Sequence, residues 1–113
     1  MRRFLTFHRD ADVVGSYPDS SAEMLGGTIP VMSLRAAAKF LESFTLPDGK
    51  MIFHITLSMP KGLMLLDDEW LQIVRHVLAE SGLPPELVPW IAIGREPTSC
   101  DHIHIFGARC TFT

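Results

Sequence analysis

The stretch MIFHITLS, residues 51–58, alternates between two faces along its whole length. One face carries Met51, Phe53, Ile55 and Leu57, and the other carries Ile52, His54, Thr56 and Ser58. This period of two is typical of a β-strand, because successive side chains of a strand point to opposite sides. A turn-forming PDG precedes the stretch at 47–49, and Pro60, Lys61 and Gly62 break it. The stretch therefore predicts a strand with one apolar and one largely polar face.

A helix is predicted on each side of this strand. Ser33 is a suitable N-cap for a helix that runs to about Phe44. Its apolar stripe, spaced i, i+3, i+4 and i+7, consists of Leu34, Ala37, Ala38 and Leu41. Asp67 is predicted as the N-cap of a second helix that continues to about Ser81, before Gly82. The residues that this helix is expected to bury are Trp70, Ile73, Val74 and Val77.

Three further strands complete the pattern. They are predicted at Arg3–Phe7, Trp90–Ile93 and Asp101–Phe106, and the last two are joined by the loop GREPTSC. The chain of 113 residues is long enough for one domain, spanning 1–113. We expect an α+β fold: a small, antiparallel-rich sheet with two helices packed on one face, as in a ferredoxin-like or HUH-type core. The other face of the sheet would then be open for a site.

Composition and charge limit the function classes. A hydrophobic content of 47% fits a globular protein, and the net charge of −3 argues against binding nucleic acid by bulk electrostatics. Any DNA binding must be local, at a basic patch such as Arg2–Arg3, for which a solvated terminus is the more common interpretation. No apolar run reaches the roughly 18 residues of a membrane span, and MRRFLTFHRDAD becomes charged too early for a signal peptide. We therefore expect cytoplasmic localisation and no membrane partner. Cys100 and Cys110 fit no zinc pattern and are interpreted as buried or incidental thiols.

The stretch DHIHIF, residues 101–106, is the strongest candidate for a site. His102 and His104 share one face of a strand, with Cα atoms roughly 6.6 Å apart. Two imidazoles at this spacing can converge on one metal ion, and His54 would join them if the two strands were neighbours. The alternative is that one histidine packs on the sheet while the other is solvated. His76 is interpreted as a solvated helix residue and His8 as a surface residue.

Two segments together resemble the nuclease domain of plasmid mobilisation relaxases, the MobA-like group of HUH endonucleases. They are HITLSMPKGLMLLDDEWLQIVRHVLAESGLPP (54–85) and WIAIGREPTSCDHIHIFGAR (90–109). In that family a strand reading roughly His-x-Ser-Leu-Ser precedes a helix with a Trp. A later segment reads roughly His-x-Asp-Thr-Asp-x-x-His-x-His-Ile. AEMLGGTIP (22–30) is similar to the Gly-rich segment that follows the family's nucleophilic tyrosine. The resemblance covers about residues 17–109.

The resemblance implies a site and a reaction. His102 and His104 match the pair that holds a divalent cation, which would be Mg, Mn or Zn. Tyr17, the only tyrosine, is the implied nucleophile that would form a phosphotyrosyl bond with single-stranded DNA. The cation would polarise the phosphoryl oxygen and position the strand.

Two positions depart from the family pattern. Arg95 stands where the family has its third metal-binding histidine, and Pro97 replaces an acidic residue. An arginine cannot ligate a metal, so either the metal site has decayed or Arg95 contacts the phosphate itself. The residues available to complete the metal shell are Glu96, Asp101 and His54. Further candidates for DNA-phosphate contacts are Lys61 and Arg109.

Three hypotheses follow. The first is a relaxase-like protein of a mobile element, such as a plasmid, that binds and nicks single-stranded DNA for mobilisation or conjugation. The second is a relaxase-derived protein without catalysis that binds DNA or a protein of a nucleic-acid complex, for example as an inhibitor of a host defence complex. The third is a structural accessory subunit. The net negative charge of the chain would be complementary to a protein partner with a basic surface. Oligomeric state stays open.

Overall fold

The computed structural model describes residues 1–15, 23–30, 33–44, 49, 51–94 and 100–110. Five strands form one antiparallel sheet in the order β1-β3-β5-β4-β2. The strands are β1 Arg2–His8, β2 Glu23–Gly27, β3 Ile52–Ser58, β4 Trp90–Gly94 and β5 His102–Ala108. The helices are α1 Asp12–Gly15, α2 Leu34–Glu42 and α3 Asp67–Glu80. This architecture confirms the α+β class and the antiparallel sheet.

The helices are divided between the two faces of the sheet, whereas the sequence suggested that two helices share one face. On the first face, α3 packs its buried Trp70 and Val74 against β3 and β5. On the second face, α1 and α2 pack against Ile52, Ile91 and Phe106. The helices occupy both faces because β4 and the end of β5 are buried on both sides. A strand that is apolar on both sides requires a covering layer on each.

Local sequence accounts for both long helices. The Ser33 side chain accepts a hydrogen bond from the backbone N–H of Ala36 at 3.1 Å, as predicted for the N-cap of α2. In α3 the predicted N-cap is wrong by one residue: Leu66 occupies that position and Asp67 begins the helix. The Glu69 carboxylate accepts the backbone N–H of Leu66 at 2.9 Å. This contact is the part of a capping box that the glutamate supplies, and it satisfies the backbone N–H of the N-cap residue.

The sequence analysis missed β2 and the short α1. Strand β2 lies at the edge of the sheet and pairs with β4, with a bulge between Met24 and Gly26. Its sequence, EMLGG, has no alternating apolar pattern. The strand therefore depends on the neighbouring β4 for its structure. The predicted turn at 47–49 falls mainly outside the described residues, as does the loop GREPTSC except for its ends.

Among the helices of the described ranges, none combines the length and the apolar character that crossing a bilayer requires.

Candidate functional site

Strands β3 and β5 bring the predicted histidines together. The two strands are antiparallel neighbours, with Thr56 opposite His104 and Ser58 opposite His102. His54 lies on the same side, opposite Phe106. Paired residues of adjacent strands share a face, so all three histidines project from one surface. We call this surface, the side of the sheet that bears His54, His102 and His104, the histidine face.

His54 and His104 are in direct contact. Nε2 of His54 lies 3.0 Å from Nδ1 of His104, and their ring centroids are 5.3 Å apart. The Thr56 hydroxyl lies 3.4 Å from each of these two nitrogens. In a hydrogen bond between neutral imidazoles, one nitrogen carries the proton and the other accepts it. The pair therefore behaves as one polar unit with a hydroxyl beside it.

His102 extends this cluster toward the start of β5. Its ring meets that of His104 edge to face, with centroids 5.5 Å apart. Nδ1 of His102 lies 3.2 Å from the backbone carbonyl of Cys100. A carbonyl only accepts hydrogen bonds, so Nδ1 carries the proton and Nε2 carries the lone pair in the neutral ring. This is the tautomer that suits a metal ligand or a hydrogen-bond acceptor at Nε2.

The sequence analysis missed a fourth histidine of the cluster. β1 pairs with β3 so that Thr6 lies opposite His54 and His8 lies opposite Ile52. Nε2 of His8 is 3.1 Å from the Thr6 hydroxyl, and its ring centroid is 6.4 Å from that of His54. The interpretation of His8 as a simple surface residue is therefore incomplete. Alternation within RRFLTFH could have grouped Thr6 with His8, but only the β1–β3 pairing relates them to His54.

The helices on this face leave the histidines half-buried. The Phe106 ring, which belongs to the apolar cluster under α2, stacks on His54 with centroids 4.4 Å apart. Burial lowers the pKa of His54 to about 4, with further contributions from His104 and His8. Desolvation penalises the charged imidazolium, and each neighbouring histidine disfavours a second positive charge. His54 is therefore neutral near pH 7.

This shift predicts an acid-sensitive contribution to stability. Below pH 6.5, the ordinary value for histidine, the unfolded chain binds a proton at His54 that the folded protein accepts only near pH 4. The stability that comes from keeping His54 neutral is fully present above about pH 6.5. It decreases as the pH falls toward 4, because protonation then favours the unfolded chain. After a discount for partial exposure, we expect about 1–2 kcal/mol of the free energy of unfolding. Urea denaturation between pH 7.5 and 4.5, with EDTA present, measures it.

His54→Gln should flatten part of this pH dependence, whereas His76→Gln is the matched control on an exposed helix surface. The His76 side chain is 74% exposed and contacts Glu80, as its predicted position on the polar side of α3 implies. A pH profile for His54→Gln that parallels the wild-type profile would contradict the expectation.

The cluster fits a cation in part. When the shared proton moves to the other nitrogen of its own ring, the two nitrogens, 3.0 Å apart, can both lie about 2.0–2.1 Å from one ion, with roughly 90–100° between the two bonds. Among the residues that the structure describes, however, no group of three or more His, Cys, Asp or Glu side chains is arranged to hold a metal. His54 and His104 thus match two adjacent coordination positions. The remaining positions of such an ion would be filled by water or by a bound ligand.

The other predicted site residues lie in different places. Tyr17, Arg95 and Glu96 fall outside the described residues. Lys61 is exposed in the turn after β3, beyond Ser58 and His102. Arg109 follows the opposite end of β5, and its guanidinium lies 4.4 Å from the ring centroid of Phe7. The two cations therefore lie at opposite ends of the sheet and are not brought together.

Asp101, considered above as a metal ligand, has a structural role. Its carboxylate accepts the indole N–H of Trp70 at 2.9 Å and the backbone N–H of Leu65 at 3.0 Å. Its backbone carbonyl accepts the N–H of Met59 at 2.8 Å. These contacts fix the start of β5, and therefore the position of His102, relative to α3. Cys100 and Cys110 are both half-buried and are not joined in a disulfide.

Comparison with known proteins provides no relative: no family model, no curated protein and no solved structure matches this chain.

Proposed function

We propose that this protein is a relaxase-like DNA-binding protein that holds single-stranded DNA on the histidine face, with a divalent cation at His54 and His104. The observation that carries the proposal is the 3.0 Å approach of one nitrogen from each imidazole, on adjacent strands. Thr56 and Ser58, two half-buried hydroxyl residues of the same face, make the surrounding surface polar. The resemblance in the two motif segments supplies the reaction class.

A cation bound at this pair would supply Lewis-acid polarisation of a phosphoryl oxygen. Two imidazoles are fewer than the three protein ligands usual in catalytic zinc sites, so we expect weak binding by the protein alone. A phosphate oxygen of DNA would add a further ligand to the cation. Bound DNA would therefore raise the affinity for the cation, and bound cation would raise the affinity for DNA. His102 would position the bound strand through Nε2, and Tyr17 would be the nucleophile for nicking.

The test is calorimetric titration of Mn²⁺ into the protein, with and without a short single-stranded oligonucleotide. Saturating oligonucleotide should raise the cation affinity, and saturating cation should raise the DNA affinity by the same factor, because binding linkage is reciprocal. His104→Ala should weaken cation binding by about 10-fold or more.

On a denaturing gel, a covalent adduct with labelled oligonucleotide should form in the wild type and be absent in Tyr17→Phe.

His76→Ala is the control, because this exposed histidine lies on α3, on the other side of the sheet. Equal losses in His76→Ala and His104→Ala would show adventitious binding and contradict the cation site. Oligonucleotide binding without any adduct would retain the binding role and remove the nicking role.

A second candidate is a non-catalytic protein that binds another protein. The observation in its favour is a run of exposed apolar side chains between β3 and α3: Leu63 is 49%, Met64 72% and Leu66 71% exposed. Exposed apolar residues that cluster in this way often mark an interaction surface. Failure of both cation and oligonucleotide binding would favour this candidate over the first.

A further inference from the structure

Three polar side chains line up across the end of the histidine face. β1 pairs with β3, and β3 with β5, so that Arg2, Ser58 and His102 occupy one row of the sheet. Neighbouring strands are about 4.8 Å apart, so the three residues are neighbours across the sheet on the same face. The next row along β3 and β5, about 6.6 Å away, contains Thr56 and His104. The row therefore adjoins the candidate cation pair.

A cavity opens at the same end of the sheet. Its volume is about 320 Å³, and it is lined by Met1, Arg2, Ser58, Met59, Pro60 and Cys100. Among the residues that the structure describes, none of those lining the cavity is acidic. The guanidinium fork and the hydroxyl are both hydrogen-bond donors, and guanidinium geometry matches the oxygens of a phosphate. The chemistry of the cavity is thus that of an anion site, on a chain whose net charge is −3.

Arg2 and Arg3 are adjacent in sequence, but their side chains lie on opposite sides of the sheet. Arg3 points to the other side of the sheet, where its guanidinium binds the Glu80 carboxylate at 2.9 Å. The Arg2 guanidinium instead lies 5.8 Å from the ring centroid of Phe4, on the histidine face. Phe4 is 60% exposed and stands opposite Thr56. An exposed aromatic ring is a surface on which a nucleobase stacks, and an adjacent arginine binds the phosphate of the same strand.

We propose that Arg2 and Ser58 bind a phosphodiester group of single-stranded DNA, and that Phe4 stacks against an adjoining base. This inference rests on the proposed function and deepens it, because it assigns a phosphate site and a base site beside His102 and His104. The sites need no cation, so they can be tested with the metal removed.

The experiment measures fluorescence anisotropy of a labelled oligothymidylate in EDTA, over a series of salt concentrations. Arg2→Gln should weaken binding and reduce the salt dependence, with the slope of log K against log salt falling by about 0.7 for one lost phosphate contact. Phe4→Ala should weaken binding about 5-fold or more. The matched controls are Arg3→Gln and Leu5→Ala, which change the neighbouring exposed side chains of the opposite face and should leave affinity nearly unchanged.

Equal losses in Arg2→Gln and Arg3→Gln would overturn the phosphate site, because they would show diffuse attraction to a basic strand. Equal losses in Phe4→Ala and Leu5→Ala would likewise overturn the base site. A titration with inorganic phosphate, followed by the NMR signal of the Ser58 amide, distinguishes a site for free phosphate from a site for the phosphodiester of DNA. A shift that depends on Arg2, without oligonucleotide binding, would identify a free-phosphate site and overturn the DNA assignment. Oligonucleotide binding insensitive to Arg2 and Phe4 would overturn this inference while the proposed function stands.

Discussion

Asp101→Ala is expected to lower the free energy of unfolding by about 3 kcal/mol. The Asp101 carboxylate, on a residue only 8% exposed, accepts hydrogen bonds from the Trp70 indole and the Leu65 backbone. Alanine would remove the acceptor from the buried Trp70 indole and from the half-buried Leu65 backbone N–H. A buried donor that loses its acceptor carries its full desolvation cost. Urea denaturation at pH 7 measures the loss. The same variant should also perturb the His102 resonances, because Asp101 fixes the start of β5.

Two further variants separate the carboxylate from the backbone. Asp101→Asn keeps an acceptor oxygen and should lose only about half as much stability. Trp70→Phe removes one donor while retaining most of the ring. In a double-mutant cycle, Asp101→Ala and Trp70→Phe should couple by about 1–2 kcal/mol. Additive losses would show that the indole–carboxylate contact contributes little, and a loss below about 1 kcal/mol for Asp101→Ala would contradict the structural role.

Gly107→Ala is expected to cost about 3 kcal/mol or more, because it overpacks the interior of the sheet. A Cβ at Gly107 would fall inside the van der Waals radii of the Phe53 ring and of the Pro89 carbonyl. Gly107 lies on β5, which is held between β3 and β4, so the backbone cannot move away without breaking ladder hydrogen bonds. Thermal and urea denaturation should both show the loss.

Gly15→Ala is the matched control for this substitution. Gly15 ends α1, and a Cβ added there meets no heavy atom within 4 Å among the described residues outside its own chain neighbours and helix backbone. Its stability should change by no more than about 0.5 kcal/mol, which is usual for a surface substitution away from special features. If Gly107→Ala were as mild as Gly15→Ala, the close packing of β5 between its neighbours would be wrong.

Much of the fold was predictable because its strands and helices have strong local periodicity. The alternation in 51–58 and the apolar stripes of α2 and α3 follow from side-chain geometry within each segment. β2 was not predictable in this way, since its glycines give no pattern and its pairing with β4 stabilises it. The division of the helices between two faces was also missed. It requires knowledge of which strands are central, which no single segment contains.

The candidate site shows the same limit. The sequence by itself determined that His102 and His104 share a face, because residues two apart on a strand point the same way. Only the tertiary structure decided that His54 contacts His104 and that His8 and Arg2 border the same surface. The physical reason is that the pairing of β1, β3 and β5 joins segments far apart in the chain. For β3 and β5 the alignment is fixed by burial, whereas the exposed β1 is aligned by its backbone pairing with β3. A shift of one residue would turn these side chains to the other side of the sheet.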